Sequence, residues 1–138
     1  MDHDRIWRRL WFHSGIFLSF VSCAIAANVT QQGAAELSLP RPPAAGEAVW
    51  LQVHAGVLPP GAEIAVATSD GMLLGTVSPV DVPRGRKAGT YTIALPKTAV
   101  VNGHVRLRLE IDEPGRSARP PNTREVESVD LIYVPISE

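Results

Sequence analysis

From residue 105 to residue 112 the side chains alternate without interruption. Val105, Leu107, Leu109 and Ile111 are apolar, while Arg106, Arg108, Glu110 and Asp112 are charged. A period of two puts every apolar group on one face of an extended chain and every charge on the other, a division that the 3.6-residue turn of a helix cannot make. This stretch is therefore a strand with one buried face, and the rest of the fold has to supply the surface it buries against. Val49 to Ala55, Glu63 to Ala67 and Tyr91 to Leu95 repeat the alternation. Met72 to Ser78, Val129 to Val134 and a weaker run from Ala35 to Leu39 bring the expected strands to seven. Thr68-Ser69-Asp70-Gly71-Met72 separates two of them, and Asp-Gly predicts a hairpin turn whose two central residues take positive φ. The other breaks hold Pro40-Arg41-Pro42-Pro43, Pro59-Pro60-Gly61 and the segments 79–88, 96–103 and 113–124, rich in residues that cannot continue a ladder. No stretch after residue 27 has a helical period. The pattern predicts an all-β, antiparallel sandwich.

The first 27 residues are of another kind. Arg5, Arg8 and Arg9 precede a largely apolar run from Leu10 to Ile25, and Ala24-Ile25-Ala26 has the small-x-small form behind which a signal peptidase cuts. Residues 1–27 are thus expected to be a cleaved N-terminal signal helix, and 28–138 a single domain, periplasmic or secreted. Removing Arg5, Arg8 and Arg9 from 13 basic residues, and Asp2 and Asp4 from 14 acidic ones, leaves ten against twelve. A net charge near −2 does not favour general affinity for nucleic acid. The one cysteine, Cys23, leaves with the leader, and with it any disulfide, thiol nucleophile or thiolate ligand. Three other readings of the leader stay open, one of them an uncleaved helix over Leu10 to Ala27, which at 18 residues is at the short limit for a membrane span and is interrupted by His13, Ser14 and Gly15. Phe20-Val21-Ser22-Cys23 partly resembles a lipoprotein box, which would anchor the domain to a membrane through Cys23, and Arg8-Arg9-Leu10-Trp11-Phe12 partly resembles a twin-arginine signal.

Several turn and packing motifs carry a family resemblance: Ile64-x-Val66, Asp70-Gly71-x-Leu73-Leu74-Gly75-Thr76, Asn102-Gly103-His104-x-x-Leu107 and Asp112-x-x-Gly115. Over residues 63–115 the chain resembles the bacterial immunoglobulin-like domains. That resemblance implies a seven-stranded immunoglobulin-like β-sandwich and a spacer or binding role, usually in repeated copies, whereas this chain holds one. A jelly-roll sandwich of the sugar-binding kind is the alternative, because VRLRLEI followed by a late VDLIYV strand resembles those modules too.

In a seven-strand path whose connections alternate between the two ends, the second, fourth and sixth loops share a pole. Arg84, Arg86, Lys87, Arg116, Arg119 and Arg124 fall there, against Asp81 and Glu113, a local charge of about +4. The chain is expected to be a non-catalytic module that engages an acidic protein or envelope component through this pole, by charge-assisted hydrogen bonds from arginine forks. An alternative ligand surface is the stripe Trp50, Gln52, His54, which must face outward if Val49, Leu51 and Val53 face the core. It would suit a small ligand or a sugar, although Tyr91 and Tyr133 are expected to point inward, so no platform of several rings can be built. The run Pro40 to Pro43 could equally cover Trp50. A third possibility is an accessory subunit of a secreted enzyme. His54 and His104 are expected in opposite sheets, no calcium-loop spacing follows Asp112, and no nucleophile elbow or phosphate loop is present. No catalytic residue, metal or cofactor is expected.

Overall fold

The computed structural model describes residues 26–136. Apart from its last two residues, the expected signal helix lies outside the described residues. Seven strands follow: β1 (Ala34–Ser38), β2 (Glu47–Ala55), β3 (Glu63–Thr68), β4 (Leu73–Val77), β5 (Gly89–Ala94), β6 (His104–Asp112) and β7 (Val126–Pro135), with one 3-10 turn at Lys97–Ala99. They form a four-stranded sheet, β1-β6-β3-β4, and a three-stranded sheet, β5-β2-β7. Every pairing is antiparallel. The all-β reading holds, and strand ends differ from expectation by a residue or two except in β7, which begins three residues early.

The period of two becomes burial directly. Val105, Leu107, Leu109 and Ile111 are all buried, and they face Leu51, Val53 and Val129 of the other sheet in one core. Burying one such side chain is worth about 1.5–3 kcal/mol. Four from a single strand match a substantial part of the ~5–15 kcal/mol by which a domain is stable. Tyr91 and Tyr133 pack against this core from the three-stranded sheet, inward as expected.

The Asp-Gly turn is built differently from the expectation. Gly71 has φ +98°, whereas Asp70 is outside the left-handed region. The connection is longer than two residues: the Thr68 N–H donates to Met72 O at 2.8 Å and the Gly71 N–H to Thr68 O at 2.9 Å. Asp70 contributes through its side chain, whose carboxylate accepts from the buried Thr68 hydroxyl.

Five of the six connections cross from one sheet to the other, and only β3–β4 is a hairpin within a sheet. The first and last strands lie in opposite sheets, with β1 beside β6 and β7 beside β2. Before β1, Ala27 pairs with Val129 on the outer edge of β7, and a turn at Thr30 to Gly33 then carries the chain over to the other sheet.

Candidate functional site: the loop pole

Because neighbouring strands run in opposite directions throughout, successive connections leave at opposite ends. Loops 56–62, 78–88 and 113–125 therefore meet at one pole, and backbone bonds join them there. The Gly56 N–H donates to Glu125 O at 2.8 Å, the Val57 N–H to Arg124 O at 2.9 Å, and the Ala88 N–H to Gly56 O at 2.9 Å. Loop 56–62 is a ridge fixed on both sides. It separates two clefts, one of about 380 Å³ bounded by Leu58, Pro60, Asp81, Arg84 and Arg86, the other of about 540 Å³ bounded by Val57, Arg84, Asn122, Arg124 and Glu125.

The six cations expected at this pole divide into two groups. Arg119 is taken up internally: its two Nη atoms donate to both carboxylate oxygens of Glu125, at 2.7 and 2.6 Å, and Nη2 also donates to Glu113 Oε1 at 2.7 Å. The backbone places the pair. Arg119 bonds back onto Ile111 of β6 through both N–H and C=O. Asn122 Oδ1 accepts from the N–H groups of Arg124 and Glu125, while the Asn122 N–H donates to Glu125 Oε1 at 3.0 Å. Glu125 is almost wholly buried. Burial alone would raise its pKa, but the Arg119 and Asn122 hydrogen bonds outweigh it and hold the carboxyl below its ordinary value. The bonds to Glu125 and Glu113 in turn push the Arg119 guanidinium up. Arg116 stands 3.7 Å from Glu113, and Lys87 is 2.5 Å from Glu127 Oε1. Arg84, Arg86 and Arg124 are in no ion pair among the described residues, and all three border the clefts.

The local charge needs correcting. Glu125 and Glu127 stand where β7 begins, and Glu63 and Asp112, paired where β3 begins and β6 ends, stand at the same end; with Asp81 and Glu113 they make six anions against six cations, so the pole has no net charge and its reach for an anion rests on which cations are left unpaired. Sequence reading ended the loop at Arg124 and so missed Glu125 and Glu127. Glu125 follows directly, but its inward direction depends on the Asn122 turn.

The Trp50 stripe is on the far side of the three-stranded sheet from the core. Trp50, Gln52 and His54 alternate with the buried Val49, Leu51, Val53 and Ala55, and all three are half-buried. Pro40, Pro42 and Pro43 are exposed, and their loop turns instead to Tyr133, whose ring Arg41 covers at 4.0 Å, and to Glu47, 2.9 Å from Arg41 Nη2. His54 is held by two partners that periodicity did not reveal: Nδ1 is 3.0 Å from Thr90 Oγ1 and Nε2 is 2.5 Å from Asp130 Oδ2. His104 lies in the other sheet, 3.0 Å from Ser38 Oγ.

The geometry defines a two-sheet, all-β domain with a stitched loop pole carrying unpaired arginines. In comparisons with protein-family models, curated proteins and solved structures, no match to this chain is found.

Proposed function

We propose that this chain is an exported, non-catalytic binding module that engages an anionic protein or envelope component through its loop pole. The observation that carries the reading is the set Arg84, Arg86 and Arg124, unpaired among the described residues and bordering two adjoining clefts. Guanidinium forks without an internal acid are available for bidentate contact with carboxylate or phosphate. The ridge between the clefts is stitched on both sides and carries Pro59 and Pro60, so little backbone freedom is lost on contact. Arg119, Lys87 and Arg116 support the pole by pairing with its glutamates. For the fold we propose an immunoglobulin-like variant, supported by the β4-β3-β6 and β5-β2 pairings, with β1 and β7 as the outer strands beside β6 and β2.

The test is retention on immobilised polyglutamate, measured at low and high salt. Wild-type protein is expected to bind and to release steeply as salt rises, because exposed charges are screened beyond about 8–10 Å at physiological ionic strength. Reversing Arg84 and Arg124 together to glutamate is expected to weaken binding by roughly 30-fold, the equivalent of two solvent-exposed ion pairs at about 1 kcal/mol each. If the double variant is retained like wild type, the pole is not the binding surface.

A further inference from the structure

The outer face of the three-stranded sheet has a chemistry unlike the loop pole, and its register divides it into two halves. At one end Trp50 lies between Ala94 of β5 and Ile132 of β7, with Ala48 opposite Val134 one pair further on. At the other end the cross-strand neighbours all carry hydrogen-bonding groups. Gln52 stands between Thr92 and Asp130, and His54 between Thr90 and Ser128. An apolar ring at one end of the central strand is thus continuous with a ladder of amide and hydroxyl groups at the other.

We propose that this face binds a neutral oligosaccharide chain lying along β2, with one sugar ring stacked on Trp50 and the next ones hydrogen-bonded by Gln52, Thr92 and Thr90. Three observations select this occupant. No lysine or arginine stands at a register position beside Trp50, Gln52 or His54, and the acid there, Asp130, meets His54 through Oδ2 at 2.5 Å while its Oδ1 is buried without a hydrogen-bond partner among the described residues, so no charged group is open there to a charged ligand. Its polar half would leave the tail of a lipid against unsatisfied amides and hydroxyls. Its size is the third: strands about 4.8 Å apart and about 3.3 Å per residue give strands of six, nine and ten residues a face of roughly 400 Å², half of the ~800 Å² that each partner contributes to a stable protein interface. A polyhydroxylated chain with one apolar ring face meets all three conditions. The locked His54 prepares the site, because with both ring nitrogens occupied its plane is fixed beside Gln52 before any ligand arrives. Thr90 keeps a hydroxyl lone pair, and Gln52 and Thr92 make no side-chain hydrogen bond among the described residues.

The experiment follows the Trp50 indole N–H signal by NMR in the full-length chain, assigned with Trp50→Phe, during titration with cellohexaose, chitohexaose and mannohexaose. At least one is expected to shift the signal saturably, to an extent unchanged by salt and by the Arg84→Glu, Arg124→Glu double variant. That insensitivity separates this site from the loop pole. By the same signal Gln52→Ala is expected to weaken binding roughly fivefold; by calorimetric titration with the sugar that binds, which does not need the indole, Trp50→Ala is expected to weaken it tenfold or more. Trp50→Phe, which keeps a ring in the sheet, should fall between wild type and alanine and covers the case in which the alanine variant does not fold. The proposal is overturned if none of the three sugars shifts the signal, or if binding survives in Gln52→Ala, Thr92→Ala and Trp50→Phe alike. It is equally overturned if the signal moves with protein concentration instead of sugar, which would make a second copy the occupant, or if polygalacturonate binds better in a salt-dependent way.

Discussion

Replacing Arg119 by alanine is expected to lower the unfolding free energy by about 3 kcal/mol, the low end of the ~3–5 kcal/mol seen when one member of a buried ion pair is removed. The low end applies because Arg119 is itself 38% exposed, whereas Glu125 is only 4% exposed in its side chain. Loss of the guanidinium leaves the Glu125 carboxylate buried with the Asn122 N–H as its remaining donor. Urea unfolding at neutral pH measures the effect, and a thermal midpoint lower by roughly 10 °C should accompany it. The pH dependence identifies the cause. In the wild type the folded Glu125 has a pKa below its unfolded value, so its contribution is present above the unfolded pKa and is lost as pH falls through the folded one. Without Arg119 the burial effect is no longer outweighed, the folded pKa rises above the unfolded value, and the same group becomes less destabilising on acidification. The gap between the two proteins should therefore narrow at low pH. A gap that stays constant would mean that Arg119 acts by packing alone.

Gly56→Ala is expected to cost at least about 2–3 kcal/mol, the range for forcing atoms into an already filled position. A Cβ at Gly56 would stand 2.0 Å from the Arg124 carbonyl oxygen, on the backbone that loops 56–62 and 113–125 share. Neither strand can give way by rotating a side chain, so the two loops must part and Arg124 must leave the second cleft. Gly85→Ala is the control. Gly85 has φ +78° and nothing within 4 Å of a new Cβ, so only backbone strain of about 1 kcal/mol is expected. Equilibrium unfolding of both variants gives the comparison, and a Gly56→Ala protein no less stable than Gly85→Ala would refute the steric account. Polyglutamate retention should fall for Gly56→Ala and hold for Gly85→Ala.

The strands and the buried face of each were legible because they depend on a local rule, alternation. Val105 to Ile111 could be assigned to the core without any knowledge of their partners. Pairing across sheets is not local. That His54 meets Thr90 and Asp130, 36 and 76 residues away, follows from two registers that no spacing in the sequence states. The six cations of the pole were all visible, and the alternation of strand direction placed their loops together. Their division into paired and unpaired members was not visible, because it depends on the loop 113–125 folding back so that Arg119 pairs with Ile111 and reaches Glu125. Charge counted along a chain gives a sum, whereas availability depends on which carboxylates the backbone turns toward which cations.

The short pairing of Ala27 with Val129 gives the domain a polarity along its long axis. β7 leaves the loop pole at Val126 and runs to Pro135 at the opposite end, and residues 27–29 run antiparallel to it, toward the pole. Ala27 and Val129 exchange both backbone hydrogen bonds, at 2.9 and 3.1 Å, so on the outer edge of β7 near the pole the chain's own backbone occupies the ladder and leaves no place there for an added strand.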